Sequence, residues 1–456
     1  MVAKKITILD GARTEDKHLA SILNLLKDIL KKQGVEIQLF SLQNLKINQC
    51  IGCFNCWIKT PGKCIHTTDA GADILRSVLS SDILILFSPV VFGGYSSELK
   101  KILDRFLPIA LPFFEKKNNE LHHPRRYTAF PHIIGIGVHP APTKELTNCS
   151  KVLTGRNAVN INTSYRAEVI SNSAAPESLR RQFQKMFSEV DVLPRVDNLK
   201  ALLATAASPP SISVGNRRAL LIIGSPKGKM PSTSSVLGGY LLDKLKAYGW
   251  QTESLVLQEK LLRKENQDII IQSFKKADTV LAAFPLYLDT LPAQVTKAFE
   301  IISSSKESAN DKRPKNFLAI VNGGLPESYQ NAVALAICRF FSQECDMTWV
   351  GGLAMGAGEQ LISGNPLKGF RGFRGAKRPP LFHIARSLDI TAAALAAGRP
   401  VPEKAIHMLA KKPFPLLSFN LWCWFLIKKT NSMLTKEANK NGVKKKAMYN
   451  KPYSQE

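Results

Sequence analysis

The feature that most constrains this chain is an alternation of short apolar runs and amphipathic stretches that occurs twice along its length. In the first pass 5–10 reads as a strand, and 17–33 carries Leu19, Ile22, Leu23, Leu26, Ile29 and Leu30 at helical spacing. Strands follow at 35–40, 83–87 and 132–138, with a second helical stretch over 97–106. The run Ile83-Leu-Ile-Leu-Phe is apolar at every position, as suits a strand covered on both faces. The second pass places strands at 219–223, 252–257, 279–284 and 317–321, and helices at 235–248 and 293–302. In each pass an apolar strand ends at a proline, Pro89 or Pro285, and leads to a lysine-bearing helix with Lys100 and Lys101 or with Lys297. Strand, helix, strand with crossovers of this length implies parallel pairing. The expected fold class is therefore α/β, with two doubly wound parallel-sheet domains in tandem.

At 456 residues the chain has room for two such domains. The pattern breaks near 193–216, where Ala207-Ser-Pro-Pro-Ser interrupts it. This divides the chain into a domain over 1–195, a linker over 196–216, a second domain over 217–365 and a C-terminal extension over 366–456. The net charge of +26 is concentrated at the end: residues 361–456 hold 18 Lys/Arg against 4 Asp/Glu. No apolar core follows Lys4 and Lys5, so a secretory leader is not expected. The longest apolar segment, 414–427, is too short to span a bilayer and contains Ser418 and Asn420. Four cysteines crowd into 50–64 and four are scattered, which is no disulfide framework; a reducing, cytoplasmic setting is expected.

In open parallel sheets ligands bind beyond the carboxyl ends of the strands, where strand order reverses. The second half offers Gly224-Ser-Pro-Lys-Gly-Lys-Met-Pro-Ser-Thr-Ser-Ser there. Backbone glycine, hydroxyls and Lys227 at the start of a helix suit a phosphate. The loop lacks the Gly-Lys-Ser/Thr ending that nucleoside triphosphates require. Together with Phe284-Pro-Leu-Tyr-Leu-Asp-Thr-Leu-Pro-Ala and Asn322-Gly-Gly-Leu-Pro-Glu, it resembles the three FMN-contacting loops of flavodoxin-like NAD(P)H-dependent oxidoreductases. In the first half, Ser88-Pro-Val-Val-Phe-Gly-Gly-Tyr-Ser-Ser-Glu-Leu-Lys-Lys is similar to the second loop and helix of FMN reductases and iron–sulfur flavoproteins.

The resemblance implies that Ser225, Lys227, Ser232, Thr233 and Ser234 hold the FMN phosphate. It implies that Pro285, Leu286, Tyr287 and Leu288 border the flavin ring, with Asn322, Gly323 and Gly324 on its other side. Pro89, Val90, Val91, Phe92 and Gly93 would take the ring-edge role in the first half. There the phosphate loop departs from the pattern: Asp10-Gly-Ala-Arg-Thr-Glu-Asp-Lys-His carries three acids and no serine-rich run. Arg13, Thr14 and Lys17 are its candidate compensations.

Cys50, Cys53, Cys56 and Cys64 form a Cys-x2-Cys-x2-Cys-x7-Cys run. Thiolates at this spacing can converge on one [4Fe–4S] cluster, and the run looks like the compact motif of iron–sulfur flavoproteins. Structural zinc and a metal-free loop of thiols stay open as rival readings. No paired-carboxylate or Ser-His-Asp arrangement stands out, which suits chemistry carried by a flavin. His122-His-Pro-Arg-Arg-Tyr reads as a solvated loop.

The implied activity is that of an FMN-dependent NAD(P)H oxidoreductase passing electrons to a quinone, a flavin or another small acceptor. The competing reading is a non-enzymatic flavin/iron–sulfur electron carrier between redox protein partners. At the C-terminus, Lys368-Gly-Phe-Arg-Gly-Phe-Arg interleaves aromatics with bases, yet no RNA-binding fold accompanies it and nucleic acid is not an expected partner. Phe414-Pro-Leu-Leu-Ser-Phe-Asn-Leu-Trp-Cys-Trp-Phe reads as a helix docking on a domain or on a partner in a homo-oligomer, with peripheral membrane contact as the other reading. Lys444-Lys-Lys reads as a solubilising tail.

Overall fold

The computed structural model describes residues 5–117, 120–204, 211–227, 230–306, 313–367, 379–411 and 419–454. The runs 205–210 and 368–378, residues 414–418 of the apolar C-terminal segment, and Gly228 and Lys229 of the second phosphate loop lie outside these residues.

The chain divides into two units: 1–195 with 419–456, and 196–418. The first unit is built on strands β1 (Lys5–Asp10), β2 (Glu36–Ser41), β3 (Ile83–Pro89), β4 (His132–His139) and β5 (Tyr165–Ser171). They lie in the order β2-β1-β3-β4-β5, and every pairing is parallel. The central β3 is buried at all seven positions, whereas the edge strand β2 is largely half-exposed, with a polar Glu36 and Gln38 at its outer positions. Helix α1 (Leu19–Lys32) buries all six apolar residues of its stripe against this sheet.

The second unit repeats the plan with β6 (Arg218–Ile223), β7 (Gln251–Val256), β8 (Thr279–Pro285), β9 (Lys315–Asn322) and β10 (Met347–Met355). Their order, β7-β6-β8-β9-β10, is the same topology again, and it too is parallel throughout. This 2-1-3-4-5 order is that of flavodoxin-like sheets, with the switch point between the first and third strands. Both expected sheets are present.

The residues expected as one basic extension are shared between the units. A helix at Pro379–Ala396 buries Ile384, Leu388, Ala392 and Leu395 in the core of the second unit. The final segment from Phe419 belongs to the first unit instead. Within 196–216, expected as a linker, helix α2 spans Val196–Ala204. No described helix is long and apolar enough to cross a membrane.

Candidate functional site

In both units the loops at the carboxyl ends of the strands follow one geometry. The first is the sharp exit after β1 and after β6. Gly11 N–H donates to Phe87 O at 2.8 Å, and Gly224 N–H donates to Ala283 O at 2.8 Å. Each glycine lies against the helix that follows the third strand. A Cβ on Gly11 would stand 2.6 Å from Leu99 Cβ, and one on Gly224 would stand 2.1 Å from Val295 Cγ2. Glycine is required at both places for this close approach.

After β3 and β8 the chain makes a second matched feature. Val91 and Gly94 exchange both backbone hydrogen bonds, as do Tyr287 and Thr290. The two residues inside each turn have positive φ: Phe92 (51°) and Gly93 (83°), and Leu288 (47°) and Asp289 (62°). A left-handed backbone costs a bulky residue such as Phe or Leu about 1–2 kcal/mol. Both units keep this turn at the same position.

The two ring-edge loops differ in exposure. Pro89, Val90, Val91, Phe92 and Gly93 are all buried, and the cavity beside them, lined in part by Ser88, Tyr95 and Thr154, has a volume of about 10 Å³, room for one water. Pro285, Leu286, Tyr287 and Leu288 are half-exposed.

The phosphate loops differ more. In the second unit Ser232 caps helix α3 (Thr233–Ala247) and forms a capping box with Ser235. Thr233 Oγ1 donates to Gly358 O at 3.2 Å, and Ser234 Oγ donates to Asn322 Oδ1 at 2.7 Å, tying this loop to the one after β9. Ser225, Ser232, Thr233 and Ser234 are buried, and Lys227 reaches Glu359 at 2.9 Å. A Cβ on Gly324 would meet nothing within 4 Å. Beside Gly323, the buried Asn331 Oδ1 has no hydrogen-bond partner. A helix N-terminus, a set of hydroxyls, an open flank and an unsatisfied acceptor make this end of the second sheet fit for a phosphate-bearing aromatic cofactor such as FMN.

The first unit does not fit in the same way. Ala12 stands where the second unit has Ser225. Arg13, a candidate compensation, is taken up by Asp16: its Nε and Nη2 donate to the two carboxylate oxygens at 2.8 and 2.9 Å. Burial alone would raise the Asp16 carboxyl, but these bonds and the Arg13 backbone N–H hold it below its ordinary value. Asp10 is buried close by, and His18 at the start of α1 makes no side-chain cap. An anionic phosphate would face carboxylates here.

The cysteine run lies in the loop after β2 and leads into a short helix at Asn55–Ile58. Its ends are clamped. Arg105 pairs with Asp69 at 2.7 Å and donates to Asn48 O on one side of the run and His66 O on the other, at 3.0 and 3.2 Å. Trp57 Nε1 donates to Leu107 O and Ala110 O and anchors the helix between them. Burial pushes the Cys50 thiol up to about 12 and raises Cys56 as well, and each is raised further by the other cysteines of the run, so the four thiols share one neighbourhood. Among the described residues no three His, Cys, Asp or Glu side chains are drawn to one point as a single metal ion would need.

Two observations bear on what those thiols fit. Arg105 Nε and His66 Nε2 are buried without a hydrogen-bond partner. Arg126, 3% exposed and close to Cys56, directs its guanidinium at four carbonyls, those of Pro108, Ala110, Met448 and Asn450. No carboxylate is paired with it in the described residues. Unmet polar nitrogens and an unneutralised buried cation are what a multiply charged thiolate-ligated cluster would satisfy. The residues therefore fit such a cluster better than a bare set of neutral thiols.

The segment from His122 to Tyr127 was expected in solvent and is not there. His122, Arg126 and Tyr127 are buried: His122 lies against Glu120 and Asn160, and the end of the chain packs over Arg126 and Tyr127. Met448 is fully buried, Tyr453 N–H donates to Tyr127 Oη at 3.1 Å, and Phe113 stacks on Tyr449. His123 lies under Trp57, its Nδ1 on Phe113 O, and burial pushes its imidazole down to about 4. The tail after Lys446 is thus part of the fold of the first unit, not only a solubilising appendage. Sequence signals for this were absent: the contact joins residues more than 300 positions apart.

Comparison with known proteins finds similarity over part of the first unit. The NADPH-dependent FMN reductase family matches residues 4–124. An iron–sulfur flavoprotein of Methanocaldococcus jannaschii is 32% identical over 109 residues, 24% of this chain and 55% of its own. An iron–sulfur flavoprotein of Archaeoglobus fulgidus is 35% identical over 79 residues, 17% of this chain and 34% of its own. The chain thus spans about half the length, or less, of the curated relatives it matches. A NAD(P)H:quinone oxidoreductase from Methanothermobacter marburgensis superimposes on 40% of the chain and 96% of its own, at a TM-score of 0.32 and 11% identity.

Proposed function

We propose, from the match of residues 4–124 to the NADPH-dependent FMN reductase family and from their similarity to iron–sulfur flavoproteins, that the whole chain is an FMN-dependent NAD(P)H oxidoreductase. The reading puts its working flavin in the second unit and a [4Fe–4S] cluster in the first. The observation that carries it is the pairing of loop geometries. Both units hold the strained turn after the third strand, but only the second backs it with a hydroxyl-lined helix N-terminus and a half-open ring edge.

In this reading the α3 N-terminus and Ser225, Ser232, Thr233 and Ser234 bind the phosphate, and Lys227 turns from Glu359 toward it. Pro285, Leu286, Tyr287 and Leu288 border the ring on one side, and Asn322, Gly323 and Gly324 on the other. FMN held by these residues would supply a hydride acceptor for NAD(P)H and a source of electrons for the acceptor. The protein contributes orientation and electrostatics. The turn at Leu288 and Asp289 fixes the ring edge, and the hydrogen bond from Ser234 to Asn322 keeps the two sides of the site in register. In the first unit Cys50, Cys53, Cys56 and Cys64 are the ligands, with Arg105 and Arg126 supplying positive charge. The acceptor is a small molecule such as a quinone or a free flavin.

The test is to purify the full chain without oxygen, add FMN, remove the excess and supply NADPH or NADH. The expected result is a yellow protein whose visible flavin band bleaches with no partner protein present. A colourless protein that takes up no FMN would sink the proposal. A flavoprotein that a nicotinamide cannot reduce without a partner would leave the electron-carrier reading in its place.

A further inference from the structure

The last long helix, α4 (Phe419–Lys440), has one side in the first unit and one side outside it. Its inner side is formed by Cys423, Leu434 and Ala438. Cys423 and Ala438 are buried, Leu434 joins the cluster of Leu111, Phe113 and Met448, and Asn431 holds Phe114 by a hydrogen bond of 2.8 Å to its N–H. The outer side carries Trp424 and Phe425, each more than half exposed, with their rings 4.9 Å apart. At 100° per residue, Lys428 lies on the same side as both, one turn on, and Lys436 follows two turns later. Lys428 Nζ lies 5.0 Å from the Trp424 ring centre. Two large aromatics open to solvent cost free energy that folding within the chain does not recover.

We propose that this outer side is a docking surface for a lipid bilayer bearing anionic headgroups. Charge complementarity chooses the occupant. Residues 419–454 contain eight lysines against one glutamate, at 428, 429, 436, 440, 444, 445, 446 and 451. An anionic interface attracts such a set, while Trp and Phe enter the boundary between headgroups and acyl chains. The helix is not apolar enough to cross, so it lies in the plane of the interface. The lysines stay with the headgroups on long stems, and the inner side remains packed on the protein. The surface requires neither the flavin nor the cluster and stands independently of the redox reading.

The experiment is flotation of the full chain with vesicles of phosphatidylcholine alone and of phosphatidylcholine mixed with phosphatidylglycerol. The expected result is binding to the anionic vesicles only, weakened by salt. A Trp424→Ser, Phe425→Ser double variant and, separately, a Lys428→Glu, Lys429→Glu variant should each bind about tenfold or more weaker. All four side chains are exposed, so circular dichroism should be unchanged in both variants. Three results would overturn the proposal: no binding to either vesicle; the aromatic variant binding as the parent does; or a dimer in sedimentation that the aromatic variant abolishes, which would make the surface an interface between copies.

Discussion

A guanidinium buried among carbonyls, as Arg126 is, costs several kcal/mol unless an anion stands beside it. That cost argues for something more negative than four protonated thiols in the adjoining loop. It also gives the proposal a sign. Arg126→Gln keeps an amide donor for the carbonyls but removes the charge. In chain stripped of iron, the substitution should leave the melting temperature unchanged or raise it, because an unpaired buried charge has gone. In chain reconstituted with iron and sulfide, it should lower bound iron per chain by at least half. Thermal melts and iron analysis check the two arms. A lower melting temperature with unchanged iron would make Arg126 a plain structural clamp for the chain end. Asp16 carries the corresponding lesson in the other direction. Its carboxylate engages Arg13, a candidate compensation in the first phosphate loop, through two hydrogen bonds.

The elements themselves were largely legible. β1 runs over the residues expected of it, and α1 and β3 lie within two residues of the pattern. Periodicity reads well where a stripe or a continuous apolar run faces one core. The strained turns were not legible. Phe92 and Leu288 are ordinary residues in sequence, and only the structure shows their left-handed backbone. Nor was the clamp of Arg105 and Asp69 around the cysteine loop, since its members are 36 residues apart and carry no common motif. The turn after β8 has its own test. Asn tolerates the left-handed region, so Leu288→Asn should raise stability by about 0.5–1 kcal/mol. If the strain serves the ring edge, the same variant should bind FMN more weakly. Denaturant titration and flavin fluorescence read the two effects. A variant that is less stable and binds flavin unchanged would remove the functional meaning given to the turn.

The molecule as a whole uses one fold twice and gives its two copies different equipment. The family match falls on the first unit, where the phosphate loop is closed by its own carboxylates and the cysteines lie. The open hydroxyl-lined cradle is in the second unit, outside the matched region. The loops of the two units are equipped differently, as the proposed division of labour requires. Much of that division was visible in sequence, in the three acids at Asp10, Glu15 and Asp16 against the serines at 225, 232 and 234. What sequence did not reveal is that Arg13 is unavailable and that the chain end closes over the cysteine loop. Both depend on which side chains meet in space.

The central claim is that the flavin is held by the second unit, and flavin stoichiometry tests it most directly. Gly324 is the position to use, because a Cβ there meets nothing within 4 Å yet would stand at the edge proposed for the flavin. The parent chain, saturated with FMN and freed of excess, should hold one flavin per chain. Gly324→Val should melt as the parent does and hold less than a tenth of it. Two flavins per chain in the parent, or full retention by Gly324→Val, would contradict the assignment.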